Sequence, residues 1–290
     1  MEFQVQHYPC ALCRQEDTRT LFQKQGFPIV KCRSCGFVYV DPRVSNEQLP
    51  SIYQHNYFRN KDYGYEGYER EKRLRIRNFE KWLNDASIFL PKKKIQALDV
   101  GCATGYCLEV MKAKGWEAEG LELDADICRS LSAQGLKASP IDLVHFDPAT
   151  RYHIITLFDV VEHIPAIDAA FARLQALLKE NGIVVMVTPD HNSFQRKLFG
   201  RKWFQYKPVE HIQYFTKESL TAFAERNGLQ LVHHAHSGQH ADTSFIINRL
   251  EHYHFSFLAR ACKALFSLLR LQNRAFYLGT GSLFVILKKK

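Results

Sequence analysis

Residues 97–105 read ALDVGCATG. An apolar run meets Asp99, turns on Gly101 and Gly105, and passes into a helical pattern. The run IQALDV (95–100) has the length and apolar density of a buried strand, and TGYCLEVMKAKG (104–115) that of a helix closed by Gly115. Working outward, EAEGLEL (117–123) reads as a second strand and DADICRSLSAQG (124–135) as a helix with Asp124 at its N-cap. YHIITLFDV (152–160), a helix from AIDAAFARLQALLKENG ending at Gly182, and IVVMVTP (183–189) follow. TKESLTAFAERNG adds a helix capped by Thr216, and LQLVHHAH (229–236) and the terminal GSLFVILKKK add two more strands. Strands alternating with helices of this length predict right-handed crossovers and a mostly parallel, Rossmann-like α/β sheet with helices on both faces.

A glycine turn at the carboxyl end of the first strand is where open parallel sheets bind ligands. The spacing is G-x-x-x-G, not the G-x-G-x-x-G of dinucleotide sites. Ala103 stands where the pyrophosphate approaches, and a carboxylate at Asp99 would repel a phosphate. The turn therefore suits a nucleoside carrying positive charge. Glu122, 21 residues after Gly101 at the end of the second strand, can accept from both ribose hydroxyls.

LDVGCATG, GLELD, LFDVVEHI and GIVVMVTPD, in that order and at these spacings, resemble the successive motifs of class I S-adenosylmethionine-dependent methyltransferases over residues 95–190. The resemblance implies a seven-stranded sheet. It implies a cofactor loop of Asp99, Gly101, Cys102, Ala103, Gly105 and Tyr106, with Glu122 and Leu123 at the ribose. Asp142 and Leu143 would lie at the adenine, and Phe158 and Asp159 would line the methionine pocket.

The segment YGYEGYEREKR and the later FGRKWFQYKPVEHIQYFTKESL resemble a bacterial branch with an N-terminal zinc module, many of whose members serve sugar, polysaccharide or secondary-metabolite biosynthesis. No counterpart of the large additional C-terminal domain of the deoxysugar methyltransferases in that branch is read in these 290 residues, so a different acceptor is expected. The acceptor expected is a small molecule or a glycan-like group.

CALC (10–13) and CRSC (32–35) form two C-x-x-C knuckles. Cys10, Cys13, Cys32 and Cys35 at this separation predict a tetrahedral, closed, structural zinc site. The remaining four cysteines are scattered, so a disulfide framework is not expected. The domain plan is then a zinc ribbon at 1–42, an aromatic and basic helical connector and cap at 43–93, a methyltransferase core at 94–239 with 280–290, and a helical insertion or cap at 240–279.

Methyl transfer to a hydroxyl needs a base beside an aligned donor. His163 in FDVVEHI and His211 in PVEHIQYFT are the candidates, each weighed against a plain structural histidine. Asp159, Glu162 and His163 also offer ligands to a divalent cation that would lower the acceptor pKa; the ubiquinone-pathway O-methyltransferases have a similar E-x-x-E-H segment. RKLFGRKWFQYK (196–207) reads as a lid with Trp203 and Phe204 turned inward.

The formal charge is +9. A zinc-bound set of four thiolates would lower it by two, leaving a modest surplus. Nucleic acid is an alternative partner, as in ribosomal guanine methyltransferases with a four-cysteine module, but the 53–68 and PVEHIQYFT stretches favour a metabolite. A non-catalytic partner protein is a third reading, and the intact loop with Glu122 argues against it. No signal peptide or spanning run is read, so a cytoplasmic location is expected. The basic amphipathic stretch 255–274 admits contact with the inner membrane face.

Overall fold

A computed structural model of the chain describes residues 3–49, 52, 72–271 and 274–290. Residues 63–71 of the YGYEGYEREKR segment lie outside the described residues. The strands are β1 (Val5–Gln6), β2 (Thr18–Lys24), β3 (Phe27–Cys32), β4 (Val38–Val40), β5 (Arg43–Val44), β6 (Gln96–Val100), β7 (Glu117–Leu121), β8 (Lys137–Ser139), β9 (Tyr152–Phe158), β10 (Leu178–Pro189), β11 (Gln213–Tyr214), β12 (Leu229–Asp242) and β13 (Ala275–Lys289). The helices are α1 (Lys72–Ser87), α2 (Tyr106–Ala113), α3 (Ala125–Ala133), α4 (Ile167–Leu177), α5 (Phe194–Phe199), α6 (Lys217–Arg226), α7 (Thr243–His252) and α8 (Ser256–Leu268).

The main sheet has seven strands in the order β12-β13-β10-β9-β6-β7-β8. β6, β7, β8, β9 and β10 run parallel, and β13 pairs antiparallel to both β10 and β12. Its central strands are buried on both faces, as βαβ crossovers demand. Leu98, Ile155, Val184 and Met186 point to one face, against Phe171 and Leu174 of α4 and Phe223 of α6. Their neighbours Ala97, Ile154 and Val185 point to the other, against Trp82 and Leu83 of α1 and Leu108 and Met111 of α2.

Two caps read from sequence hold. Asp124 Oδ1 accepts from Asp126 N–H at 2.8 Å, and Thr216 and Ser219 form a reciprocal capping box. One helix end is earlier than expected. α4 stops at Leu177, and the chain enters β10 at Leu178, paired with Tyr152, before a bulge at 178–183. Gly182 is needed there because a Cβ would meet Tyr152 O at 2.7 Å. The insertion is likewise less purely helical than its composition suggests. β12 and β13 extend their ladder outward to Asp242 and Ala275, α7 packs against β12, and α8 packs on α7.

The cysteine region forms a second sheet, ordered β11-β4-β3-β2. Its core is continuous with the main one: Cys10, Val30, Phe37 and Tyr39 pack in the same cluster as Phe171, Phe215 and Phe223. Asp168 on α4 pairs with both Arg14 of the cysteine region and Arg226 of α6, and Arg226 also donates to Leu12 O at 2.6 Å.

Candidate active site

The carboxyl ends of β6 and β9, where the chain turns from one half of the sheet to the other, open into a cleft of about 840 Å³. This lies within the range of small-molecule sites, about 300–1,000 Å³.

The glycine turn forms one wall. Gly101, Ala103 and Gly105 have φ of 69°, 46° and 79°. A Cβ at Gly101 would come within 2.6 Å of Val160 Cγ2, so only glycine lets the turn close. Gly101→Val should abolish binding of S-adenosylhomocysteine in calorimetry while the far-ultraviolet spectrum stays that of a folded α/β protein; an unchanged affinity would remove this turn from the cofactor site.

Glu122 stands at the end of β7, with Oε2 accepting from Ala103 N–H at 3.0 Å and Oε1 from Asp124 N–H at 3.1 Å. A carboxylate has about four acceptor sites, so these backbone bonds leave acceptor capacity for hydroxyls in the cleft. Burial raises its pKa, and the backbone N–H bonds oppose that rise.

Leu123, Asp142, Leu143, Phe158, Asp159, His163 and His211 line the same cleft. Asp99, Cys102, Gly105 and Tyr106 do not reach its wall. Asp99 lies beneath the turn, where its Oδ1 accepts from Thr156 Oγ1 at 2.5 Å and burial pushes its pKa up to about 7. Of the two carboxylates at the turn, Glu122 is the one that lines the cleft. Asp142 is partly engaged already, capping His145 through N–H at 3.0 Å and ring Nδ1 at 2.7 Å.

The opposite wall holds a cluster of proton-handling groups on the turn after β9 and the loop before β11. His163 and His211 are edge to face, with ring centroids 4.7 Å apart. His163 Nδ1 donates to Glu210 O at 3.0 Å, and His211 Nδ1 donates to Gln205 O at 2.9 Å. A carbonyl partner requires N–H at Nδ1, which makes Nε2 the basic nitrogen of each neutral ring. Burial lowers both pKa values, that of His163 to about 4.

Glu162 Oε2 accepts from Thr188 Oγ1 at 2.8 Å, while its buried Oε1 has no partner among the described residues. Burial, with the Asp159 charge adding to it, pushes its pKa up to about 8. Ligand atoms of Glu162, His163 and His211 all lie within 4.8 Å of one another. The cation trio expected from sequence is thus changed: among the described residues His211, not Asp159, completes it. Asp159 holds a left-handed φ of 55° and opens onto the cleft. Enclosure raises its pKa to about 6, and the charges of Arg75 and Lys207 oppose the rise.

The caps expected at 43–93 and 240–279 supply cleft residues that the sequence did not single out. Asn78, Phe79 and Trp82 of α1 line the cleft, as do Phe245 and Arg249 of α7. Trp82 Nε1 donates to Ser237 Oγ at 3.0 Å, fixing α1 on β12, and the Trp82 ring lies 5.0 Å from that of Phe158. The apolar spacing in α1 was the available signal, but it reads equally as a core-facing stripe. In the expected lid stretch, Trp203 is fully buried and Phe204 reaches the cleft.

The His211 loop is held from both sides. Ile212 N–H donates to Glu162 O at 3.1 Å, and Val40 N–H of the cysteine sheet donates to Ile212 O at 3.0 Å. Gln213 and Tyr214 then pair with Tyr39 and Val38 as β11.

The four cysteine sulfurs also lie within 4.8 Å of one another. The N–H groups of Leu12 and Cys13 point at Cys10 Sγ, and those of Ser34 and Cys35 at Cys32 Sγ. Amide donors aimed at sulfur stabilise thiolates, so the set fits a tetrahedral Zn²⁺.

This sheet order, with a glycine turn and a paired carboxylate at its centre, defines the Rossmann-like fold of S-adenosylmethionine-dependent methyltransferases. A solved S-adenosylmethionine-dependent methyltransferase from Archaeoglobus fulgidus superposes with a TM-score of 0.53 at 17% identity, over 77% of this chain and 99% of that one. Another, from Clostridium acetobutylicum, gives 0.52 at 13% identity, over 77% and 97%. At these identities the likeness is one of fold.

The chain belongs to the family described as "Methyltransferase domain", which matches residues 68–234. Its curated relatives include ubiquinone biosynthesis O-methyltransferases. That of Rhodopseudomonas palustris (strain HaA2) is 29% identical over 117 residues, 38% of this chain and 46% of that protein. That of Bordetella avium is 26% identical over 163 residues, 51% of this chain and 67% of that protein.

Proposed function

We propose that the chain transfers the methyl group of S-adenosylmethionine to a hydroxyl of a small-molecule acceptor. The observation that carries this reading is the convergence of Glu162, His163 and His211 in the same cleft as Gly101, Ala103 and Glu122. When bound, the cofactor supplies an activated methyl for in-line displacement; the chain's own residues orient the acceptor and remove its proton.

In this reading Glu122 holds the ribose, and Phe158 and Asp159 flank the methionine part. His211, its tautomer set by Gln205 O, accepts the acceptor proton at Nε2, and Glu162 in its ionised form stabilises the resulting imidazolium. The names of the relatives in the preceding section support oxygen as the methylated atom and a small molecule as the acceptor. A glycan-like hydroxyl meets the same chemical requirement. The test is mass-spectrometric detection of S-adenosylhomocysteine and a methyl ether from a panel of phenols, catechols and sugars. Methylation of ribosomal RNA with no turnover of any hydroxylated small molecule would reject the reading.

A second reading of the cluster has a specific observation behind it. The orphan Glu162 Oε1 and two imidazoles with basic Nε2 atoms form a two-histidine, one-carboxylate donor set. A divalent cation there would lower the acceptor pKa directly. Titrating chelator-treated protein with Mg²⁺, Mn²⁺ or Co²⁺ in the calorimeter separates the two: loss of cation binding in Glu162→Gln supports the cation, and no binding in the unaltered protein supports the metal-free base.

The ribbon's place in this scheme is structural. Cys10, Cys13, Cys32 and Cys35 would hold Zn²⁺, with no position open for substrate. Because β4 pairs with the residues just after His211, zinc removal should lower turnover about tenfold or more, while S-adenosylhomocysteine affinity changes less than threefold. Equal losses of both, with one cooperative melting transition, would mean that ribbon and core unfold together.

A further inference from the structure

α8 is the most exposed apolar helix among the described residues. It packs mainly on α7, turning Ala259, Cys262 and Phe266 inward. Phe257, Ala261, Leu265 and Leu268 fall on its outer side at spacings of four, four and three, which places them in one stripe. Phe257 is 79% and Leu268 80% exposed. Arg260 borders that stripe, Lys263 lies further round on the same side of the helix, Arg270 follows the helix end, and residues 252–274 contain no aspartate or glutamate.

We propose that the α7–α8 hairpin docks the protein on an anionic phospholipid surface. The outer stripe of α8 enters the acyl boundary while Arg260, Lys263 and Arg270 meet lipid phosphates. An exposed apolar stripe on a segment whose charged side chains are all cationic is what an interfacial helix requires. A second copy of the chain is the poorer occupant. A two-fold contact through this stripe would set cationic flanks near one another, with no carboxylate on the segment to pair them. Among the described residues no helix is long and apolar enough to cross a membrane, so the contact is one of lying on the surface.

The placement also matters for the cleft. Phe245, Asn248, Arg249 and His252 of α7 line it, so one helix separates the docked surface from the bound ligands. Resting on the function proposed above, this would give the cleft access to an acceptor with an apolar tail held in the bilayer.

The docking itself is tested without cofactor or acceptor, by flotation with vesicles of phosphatidylcholine alone or mixed equally with phosphatidylglycerol. The protein should float with the anionic vesicles and bind neutral ones at least tenfold less. The double variant Phe257→Asp, Leu268→Asp should lose flotation at least tenfold. Arg260→Gln with Lys263→Gln should erase the preference for phosphatidylglycerol.

Unchanged flotation in the aspartate variant would overturn the proposal. So would failure of the unaltered protein to float, or a dimer in sedimentation that the aspartate variant converts to monomer. Equal S-adenosylhomocysteine affinity in all variants checks that they fold. If the unaltered protein floated yet bound no S-adenosylhomocysteine, the methyltransferase reading would fall and the docking proposal would stand.

Discussion

Glu122→Ala should weaken S-adenosylhomocysteine binding by about 10²- to 10³-fold. Hydrogen bonds to a charged partner contribute about 1.5–3 kcal/mol each, and in the proposed function two ribose hydroxyls would meet this one carboxylate. The side chain is 8% exposed and already pinned by Ala103 N–H and Asp124 N–H, so its remaining acceptor sites are held in place before the ligand arrives. Its pKa is raised by burial. On acidification the carboxylate therefore takes up its proton earlier than an exposed one would. Affinity should be full well above that pKa, fall as the pH drops through it, and become insensitive to pH in the alanine variant. Isothermal titration over a pH series reads both effects. A loss under threefold, or an unaltered pH dependence, would place the ribose elsewhere.

His211→Ala should lower kcat by about 10²- to 10⁴-fold, the usual contribution of a positioned proton acceptor, with S-adenosylhomocysteine affinity within about threefold. His211 is 3% exposed and its ring rests edge-on against His163. Alanine therefore leaves an imidazole-sized gap lined by Glu162 and His163. Added imidazole should restore part of the lost turnover, which a merely structural histidine would not allow. Single-turnover measurement of methyl transfer separates the chemical step from product release. An unaltered rate, or a variant that imidazole leaves unimproved, would remove His211 from proton transfer.

The parts of this account that could be read along the chain are those with a local physical cause. The sheet strands were visible because both faces must be apolar, with Leu98, Ile155 and Val184 on one and Ala97, Ile154 and Val185 on the other. Gly101 was visible because a turn with φ of 69° beside Val160 excludes any side chain. The Asp124 and Thr216 caps depend on residues within three positions. The cysteine knuckles carry their geometry in their spacing.

What could not be read depends on long-range placement. Glu162, weighed from sequence only as a cation ligand, gains its raised pKa from burial among groups brought in by β9, β10 and the loop ahead of β11. Trp82 and Phe79 became roof residues because Ser237 and Phe158 lie across from them. The join between the cysteine sheet and the His211 loop rests on a two-residue strand, Gln213–Tyr214, too short to announce itself. Asp99 shows the reverse error: a carboxylate next to a ligand turn in sequence can still point under it.

The most direct test of the central claim is a crystal structure of the protein with S-adenosylhomocysteine, paired with calorimetry for stoichiometry. The account predicts one molecule per chain in the cleft, both ribose hydroxyls on Glu122, and the sulfur facing Glu162, His163 and His211. An empty cleft at saturating ligand, or a nucleoside diphosphate bound with its phosphates on residues 101–105, would contradict it.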